Sequence, residues 1–305
     1  MIKSIFIVAY NREKIFFNTL KKLKKCKNYD QFKKLVIYQD VTKTIIEKIR
    51  KIDPKIEVVK TKYPKNFTSF QKLNLNSYLG FKRCFDVYKS NYVIFIEDDI
   101  LPSYDFLEYH NHSNLLYHNN KNYFATNSFS RENKKNLDFS YSKFIWGIAK
   151  GWSVPKERWK FLKKMYQELC SSKEEIYYDC YFEPHIKKKY FVVMPYRSRS
   201  YEQPSNGLNV RFEDKDSNLW INWKKSFLNK NKYKIKNYTF LSDMTYSWRE
   251  DCHKYSTFNI FINNLKFFTV KSYIFIQFKN LIKYIIGYKI FIWIKKYLFK
   301  INLYS

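Results

Sequence analysis

The sequence predicts an α/β protein built on a mostly parallel, doubly wound sheet. In the first hundred residues, short apolar runs alternate with helical patterns in the βαβ manner, and polar residues stand at the ends of the apolar runs. A chain of 305 residues with a hydrophobic share of 45% is also long and apolar enough to bury one substantial core.

The elements follow in order. Met1-Ile2-Lys3-Ser4 runs straight into Ile5-Phe6-Ile7-Val8-Ala9, too short for a signal-peptide core and lacking a small-residue cleavage site, so a first buried strand is expected over 4–9. A Lys-rich helix near 13–26 comes next, then a strand at Leu35-Val36-Ile37-Tyr38 and a helix near 42–51. Ile56-Glu57-Val58-Val59 reads as a strand, 70–88 as a helix and Tyr92-Val93-Ile94-Phe95-Ile96 as another strand. In such sheets ligands bind beyond the carboxyl ends of the strands. The residues at those ends are Tyr10-Asn11-Arg12, Gln39-Asp40 and Glu97-Asp98-Asp99. From about 115 to 215 the pattern is less regular and rich in tryptophan and glycine, as in a substrate-binding half with long loops.

The formal net charge is +30, but Lys, Asn, Ile, Tyr and Phe are inflated together, as an AT-rich coding sequence produces. Only part of that charge therefore speaks to function, and that part favours a polyanionic neighbour: nucleotide phosphate, anionic lipid or nucleic acid. The five cysteines are scattered, with no Cys-x-x-Cys pair, which fits a reducing compartment. His110, His112 and His118 have no cysteine partners and make a poor zinc set.

Three acids directly after an apolar strand repel one another and resist partial desolvation. A divalent cation removes that cost, because hard carboxylate oxygens with a diphosphate are how Mg²⁺ or Mn²⁺ is held in phosphate-handling sites. The alternative is a solvated turn that caps the next helix.

The run from Val93 to Tyr109, with Glu97-Asp98-Asp99 continued by Asp105-Phe106-Leu107-Glu108-Tyr109, resembles the metal-binding segment of the N-acetylglucosaminyltransferase I family, glycosyltransferase family 13, and its bacterial relatives. The resemblance implies a glycosyltransferase A fold and transfer from a nucleotide diphosphate sugar. Val8-Ala9-Tyr10-Asn11-Arg12 matches the segment where an acid and an arginine lie against the nucleotide; Asn11 departs from the acid, and Arg12 carries over. Asp40, in Ile37-Tyr38-Gln39-Asp40, inherits the role of recognising uracil, and Asn74 or Asn76 stands where the family has a nucleotide-contacting histidine.

In the second half, Phe144 to Trp152 with Arg158-Trp159 is similar to a Trp-Gly-rich acceptor-side segment. Tyr177-Tyr178-Asp179-Cys180-Tyr181 resembles the motif whose aspartate is the catalytic base, and 195–199 with 205–209 resemble the stretch that closes over the donor.

By this resemblance Asp99 is the direct ligand of Mn²⁺ or Mg²⁺, Asp98 and Glu97 contact ribose, water or sugar, and Asp179 is a general base for an inverting transfer. Asp179 also reads as a helix N-cap or surface acid, Trp146 and Trp152 as core, and Arg197, Arg199 and Arg211 as solvated residues or phosphate clamps. The expected organisation is a catalytic domain over 1–225, divided into a nucleotide-sugar half (1–110) and an acceptor half (111–225), with a basic region over 226–305.

That last region carries no acid beyond Asn264, and lysines interrupt every apolar run, so no stretch reaches the length that spans a bilayer. It suits the interface of an anionic membrane, or a helix packed on the catalytic domain. The expectation is a cytoplasmic enzyme, peripheral on the inner face of the membrane, with a nucleotide-sugar donor and a glycan acceptor such as a lipid-linked lipooligosaccharide or capsule precursor. Two rivals are a nucleotidyltransferase, for which the Gly- and Arg-rich phosphate loop is not visible between Tyr10 and Asn18, and a nucleic-acid-binding protein, which leaves the acidic triplet unexplained.

Overall fold

In the computed structural model the apolar runs become strands of one sheet. The structure describes residues 1–129, 140–144, 148, 150–172, 178, 182, 186, 189–203 and 239–242. All of them belong to the first of two units, Met1–Asp243.

The strands are β1 (Lys3–Tyr10), β2 (Lys33–Gln39), β3 (Glu57–Lys60), β4 (Tyr92–Glu97), β5 (Ile100–Pro102), β6 (Tyr123–Asn127), β7 (Ser140–Phe144), β8 (Trp152–Pro155), β9 (Phe191–Pro195), β10 (Ser200–Glu202) and β11 (Thr239–Ser242). The helices are α1 (Glu13–Lys24), α2 (Lys43–Ile52), α3 (Ser69–Lys82), α4 (Phe106–Tyr117) and α5 (Trp159–Ser171). The helix expected over 70–88 is thus α3 followed by a single wide turn, Arg83–Val87.

Among the described residues the main sheet runs β11-β7-β9-β6-β8-β4-β1-β2-β3. From β4 through β1 and β2 to β3 every pairing is parallel, whereas β8 joins β4 and β6 antiparallel. The mixed α/β architecture with a mostly parallel sheet is the one the sequence predicts. Its chain path has a further consequence. The chain moves outward from β1 to β2 and β3, then returns to lay β4 on the other side of β1, so a topological switch lies between β1 and β4. A crevice opens at the carboxyl ends of such a strand pair.

Local chemistry fixes the elements around that crevice. On α1, Phe16, Thr19, Leu20 and Leu23 are buried at the spacing of one helical face. Helix α3 starts with a capping box in which Thr68 and Gln71 satisfy each other's backbone N–H groups. Near its end, a Cβ on Gly80 would stand 2.3 Å from the Phe6 ring, so only glycine lets α3 approach β1 this closely. The close approach brings Phe81 onto Phe6, Phe95, Trp152 and Tyr166 in an aromatic core under the sheet. Trp152 is fully buried there, which settles it as core rather than as a platform for an acceptor sugar.

Candidate functional site

The residues that end β1 and β4 meet at the switch point. Val8 pairs with Glu97, so the two segments beyond this register, Tyr10-Asn11-Arg12 and Asp98-Asp99, face each other. Asn11 takes a positive φ of 35°, and α1 begins at Glu13, so two residues turn the chain from strand to helix. That tight turn aims Arg12 back across the crevice. Its Nε reaches Asp98 Oδ2 at 3.3 Å, its Nη2 closely contacts Asp98 Oδ1, and its Nη1 donates to Asp99 Oδ2 at 2.9 Å. The Tyr10 backbone N–H also donates to Asp98 Oδ2, at 3.1 Å, and Thr19 Oγ1 on α1 donates to the Asp98 carbonyl at 2.7 Å.

A second layer closes over the acidic turn from a distant part of the chain. β5 follows the triplet directly and pairs antiparallel with β10, placing Glu202 opposite Ile100. The Gln203 N–H donates to the Asp99 carbonyl at 2.7 Å, while Gln203 Nε2 donates to Thr19 Oγ1 at 2.9 Å, so this residue latches the β10 segment to both the turn and α1. Glu202 bonds Lys150 at 2.6 Å, and Lys150 also lies over the Phe129 ring. Lys150 and Gly151 both have positive φ, and a Cβ on Gly151 would crowd Ser128 and Phe106.

Among the described residues, three carboxylates, Asp98, Asp99 and Glu202, are set against two cations, Arg12 and Lys150. Burial pushes the Asp98 carboxyl up to about 6, with Arg12 opposing the rise and Asp99 adding to it. Burial raises Asp99 as well; Arg12 again opposes, and Glu202 adds to the rise. Burial works against the Arg12 charge, but Asp99 and Asp98 outweigh it and hold the guanidinium proton above its usual range. Among the described residues no three His, Cys, Asp or Glu side chains converge as a ready-made cation cage. The donor set is nonetheless one of hard carboxylate oxygens, which is the chemistry that suits Mg²⁺ or Mn²⁺ sharing its shell with phosphate.

One strand further out, Asp40 ends β2 as an exposed residue with φ 54°. Beside it stands Tyr63, whose phenol is raised by burial and, among the further causes, by Asp40 and Tyr10. Tyr63 donates to Asn76 Oδ1 on α3 at 2.8 Å, and Lys72 lies over its ring. Tyr10 is 53% exposed, an unusual placement for an aromatic residue at the end of a buried strand. Asp40, Asn76 and Tyr10 therefore gather around a residue that the sequence pattern did not single out.

The remaining expected residues fall into two groups. Glu97 is the half-buried last residue of β4. Asp179, Trp146, Arg211 and the stretch 205–209 lie outside the described residues. Arg199 corrects both sequence readings, solvated surface and phosphate clamp. It is buried, and its Nε pairs at 2.6 Å with Asp105, which is equally buried. Asp105 also accepts from Ser103 Oγ, and the Arg199 carbonyl accepts from the Ser103 N–H, so the tail of the acidic motif anchors the segment leading into β10. Glu202, Gln203 and Tyr63 were missed because their partners lie elsewhere in the chain, and Asp105 was read only as part of the acidic motif; Glu202-Gln203 directly after an apolar Tyr201 was the one available signal.

No family model matches the chain, and no curated protein matches it. Among solved structures, the chain is similar to S. aureus TarS 1–349 in complex with UDP-GlcNAc, at 13% identity over 77% of this chain and 68% of that one, with a TM-score of 0.48. It is also similar to the mannosyltransferase PcManGT from Pyrobaculum calidifontis in complex with GDP-Man and Mn²⁺, at 10% identity over 63% and 54% of the two chains and a TM-score of 0.40. A cytidylyltransferase from Leptospira borgpetersenii is similar at 15% identity over 62% and 74%, with a TM-score of 0.39. These likenesses are loose and include more than one chemistry, so the residues at the strand ends have to carry the functional reading.

Proposed function

We propose that the chain is a glycosyltransferase of the glycosyltransferase A type, moving a sugar from a nucleotide diphosphate sugar to a glycan acceptor. The observation that carries this reading is the meeting of Arg12, Asp98 and Asp99 at the switch point between β1 and β4. The nucleobase would lie in the recess of Tyr10, Asp40, Tyr63 and Asn76, with Asp40 accepting from a uracil N–H and an exposed tyrosine ring beneath the base. The diphosphate would then reach the acidic turn, where Asp99, with Asp98 and Glu97 nearby, would hold Mn²⁺ or Mg²⁺. When bound, such a cation offsets the negative charge that develops on a departing diphosphate. Arg12 and Lys150 add fixed positive charge on the same side, and the β10 segment limits access of water.

Asp179 is the residue to which we assign proton removal from the acceptor hydroxyl, with inversion at the anomeric carbon. Support for this is the aromatic-Asp-x-aromatic pattern of Tyr178-Asp179-Cys180-Tyr181. The basic aromatic region after 225 supports a peripheral placement at the cytoplasmic face of a membrane and a lipid-linked acceptor in bacterial surface-glycan synthesis. No helix among the described residues is long and apolar enough to cross a membrane. A nucleotidyltransferase is disfavoured because only Asn11 and Arg12 separate β1 from α1, leaving no room for a phosphate-cradling loop.

Thermal denaturation with UDP, GDP and CMP, each with and without Mn²⁺, tests the reading. UDP with Mn²⁺ should raise the melting temperature more than any other combination. Equal shifts with all three nucleotides, or none with any, would sink the donor assignment.

A further inference from the structure

Arg12 is already bound to the carboxylate that a cation would need. Asp98 is held by Nε and Nη2 of Arg12 and by the Tyr10 N–H, and its own carbonyl is tied to Thr19, so it is fixed in place. Asp99 meets the same guanidinium at Oδ2 through Nη1. Arg12 keeps 27% of its side chain exposed while Asp98 keeps 3%, so the guanidinium is within reach of a ligand and its carboxylate partner is not. Among the described residues, Lys150 is a further cation near the site, and it is engaged by Glu202.

We propose that Arg12 is the resident counter-ion of the acidic pair and makes divalent-cation binding conditional on a nucleoside diphosphate. This rests on the donor-site reading above and adds a rule of order to it. A bare cation taking Asp99 Oδ2 has to displace a charge-assisted hydrogen bond, and at either oxygen of Asp99 it stands near a guanidinium of like sign. A diphosphate entering with the cation removes both penalties, because it supplies negative charge to the cation and new acceptors to the Nη1 N–H group. Arg12 keeps Asp98 throughout, so the guanidinium pivots on a fixed carboxylate and exchanges Asp99 for phosphate. The acidic triplet therefore stays closed to free metal and opens to the metal–nucleotide pair.

The test is Mn²⁺ uptake by the full-length protein, read as loss of the free Mn²⁺ signal in electron paramagnetic resonance, with and without UDP. Wild type should take up Mn²⁺ weakly alone and much more tightly with UDP. Arg12→Gln should bind Mn²⁺ alone about tenfold more tightly than wild type, the worth of one charge-assisted bond, and should gain less from UDP. Arg12→Lys, which keeps the charge but cannot span both carboxylates, should fall between the two and serves if the glutamine variant does not fold. Bare Mn²⁺ binding that is the same in wild type and in the folded variants would overturn the exchange while leaving the donor site intact. Mn²⁺ uptake by wild type that UDP leaves unchanged would overturn the donor-site reading and the exchange together.

Discussion

Two sets of buried polar side chains flank β4, and they are satisfied in opposite ways. On the β1 side, Arg12, Asp98, Asp99 and Glu202 form a charged group in which, among the described residues, carboxylates are in excess. On the β8 side, Ser153 sits opposite Ile94, with its Oγ 2.8 Å from His110 Nδ1 and accepting from Asn114 Nδ2 at 2.7 Å. Tyr123 donates to Asn114 Oδ1 and lies within hydrogen-bond distance of Thr126. This second set is neutral and closed from solvent. Burial lowers the His110 imidazole to about 3, so it stays uncharged in the fold. A neutral network of this kind, in which His110 Nε2 is the member left without a partner among the described residues, stabilises the protein through its remaining bonds and has little to offer a ligand. A buried group with unbalanced charge does the reverse: it costs stability until something of opposite sign arrives. His110 thus belongs to architecture, and the proposed function gives the acids that follow β4 to chemistry.

Asp99→Ala probes this contrast with the largest expected effect. Transfer should fall about a hundredfold or more, and the Mn²⁺-dependent stabilisation by UDP should vanish. Full activity of this variant in EDTA would remove the acids of β4 from the chemistry.

Ser153→Ala should act on stability alone. Leaving the Asn114 and His110 groups short of a partner costs about 1–3 kcal/mol, readable as a lower urea midpoint, with UDP and Mn²⁺ binding unchanged. A weakened nucleotide response at wild-type stability would mean that the two clusters are coupled.

The smallest effect is one of pH. The His110 pKa is about 3 in the fold against 6.5 unfolded, so the unfolded chain binds more protons between these values. Its contribution is full above 6.5 and is lost as pH falls toward 3, at up to ~1.4 kcal/mol per pH unit. Asp98, raised to about 6, works in the opposite sense between 3.8 and that value, because there the folded state holds the extra proton. Urea midpoints of wild type and His110→Phe between pH 6.5 and 5 should therefore converge as the pH falls. Parallel curves would show that His110 titrates normally.

Much of this was legible in the residues. β1, β2 and β4 follow from apolar runs with helical patterns between them, because a strand buried on both faces needs apolar residues throughout. Glu97-Asp98-Asp99 and Asp40 stood out because a polar residue at the end of such a strand is costly without a purpose. Tyr63 was silent because nothing in its neighbourhood in sequence predicts Asn76 as a partner. Trp152, which looked equally suited to an acceptor site, turned out to lie under the sheet on Phe81 and Phe95.

The sequence by itself determined the strand-and-helix alternation, the acidic turn and the placement of polar residues at strand ends, because these depend on period and local composition. Tertiary structure alone decided that Arg12 would bind Asp98 and Asp99, that Asp105 would take Arg199, and that Glu202 and Gln203 would close over the turn. These pairings join residues some eighty to two hundred positions apart in many cases, and charge in a sequence has sign but no direction. Only the return of β4 beside β1 and the antiparallel match of β10 with β5 bring those charges within hydrogen-bonding distance, where burial makes each one count.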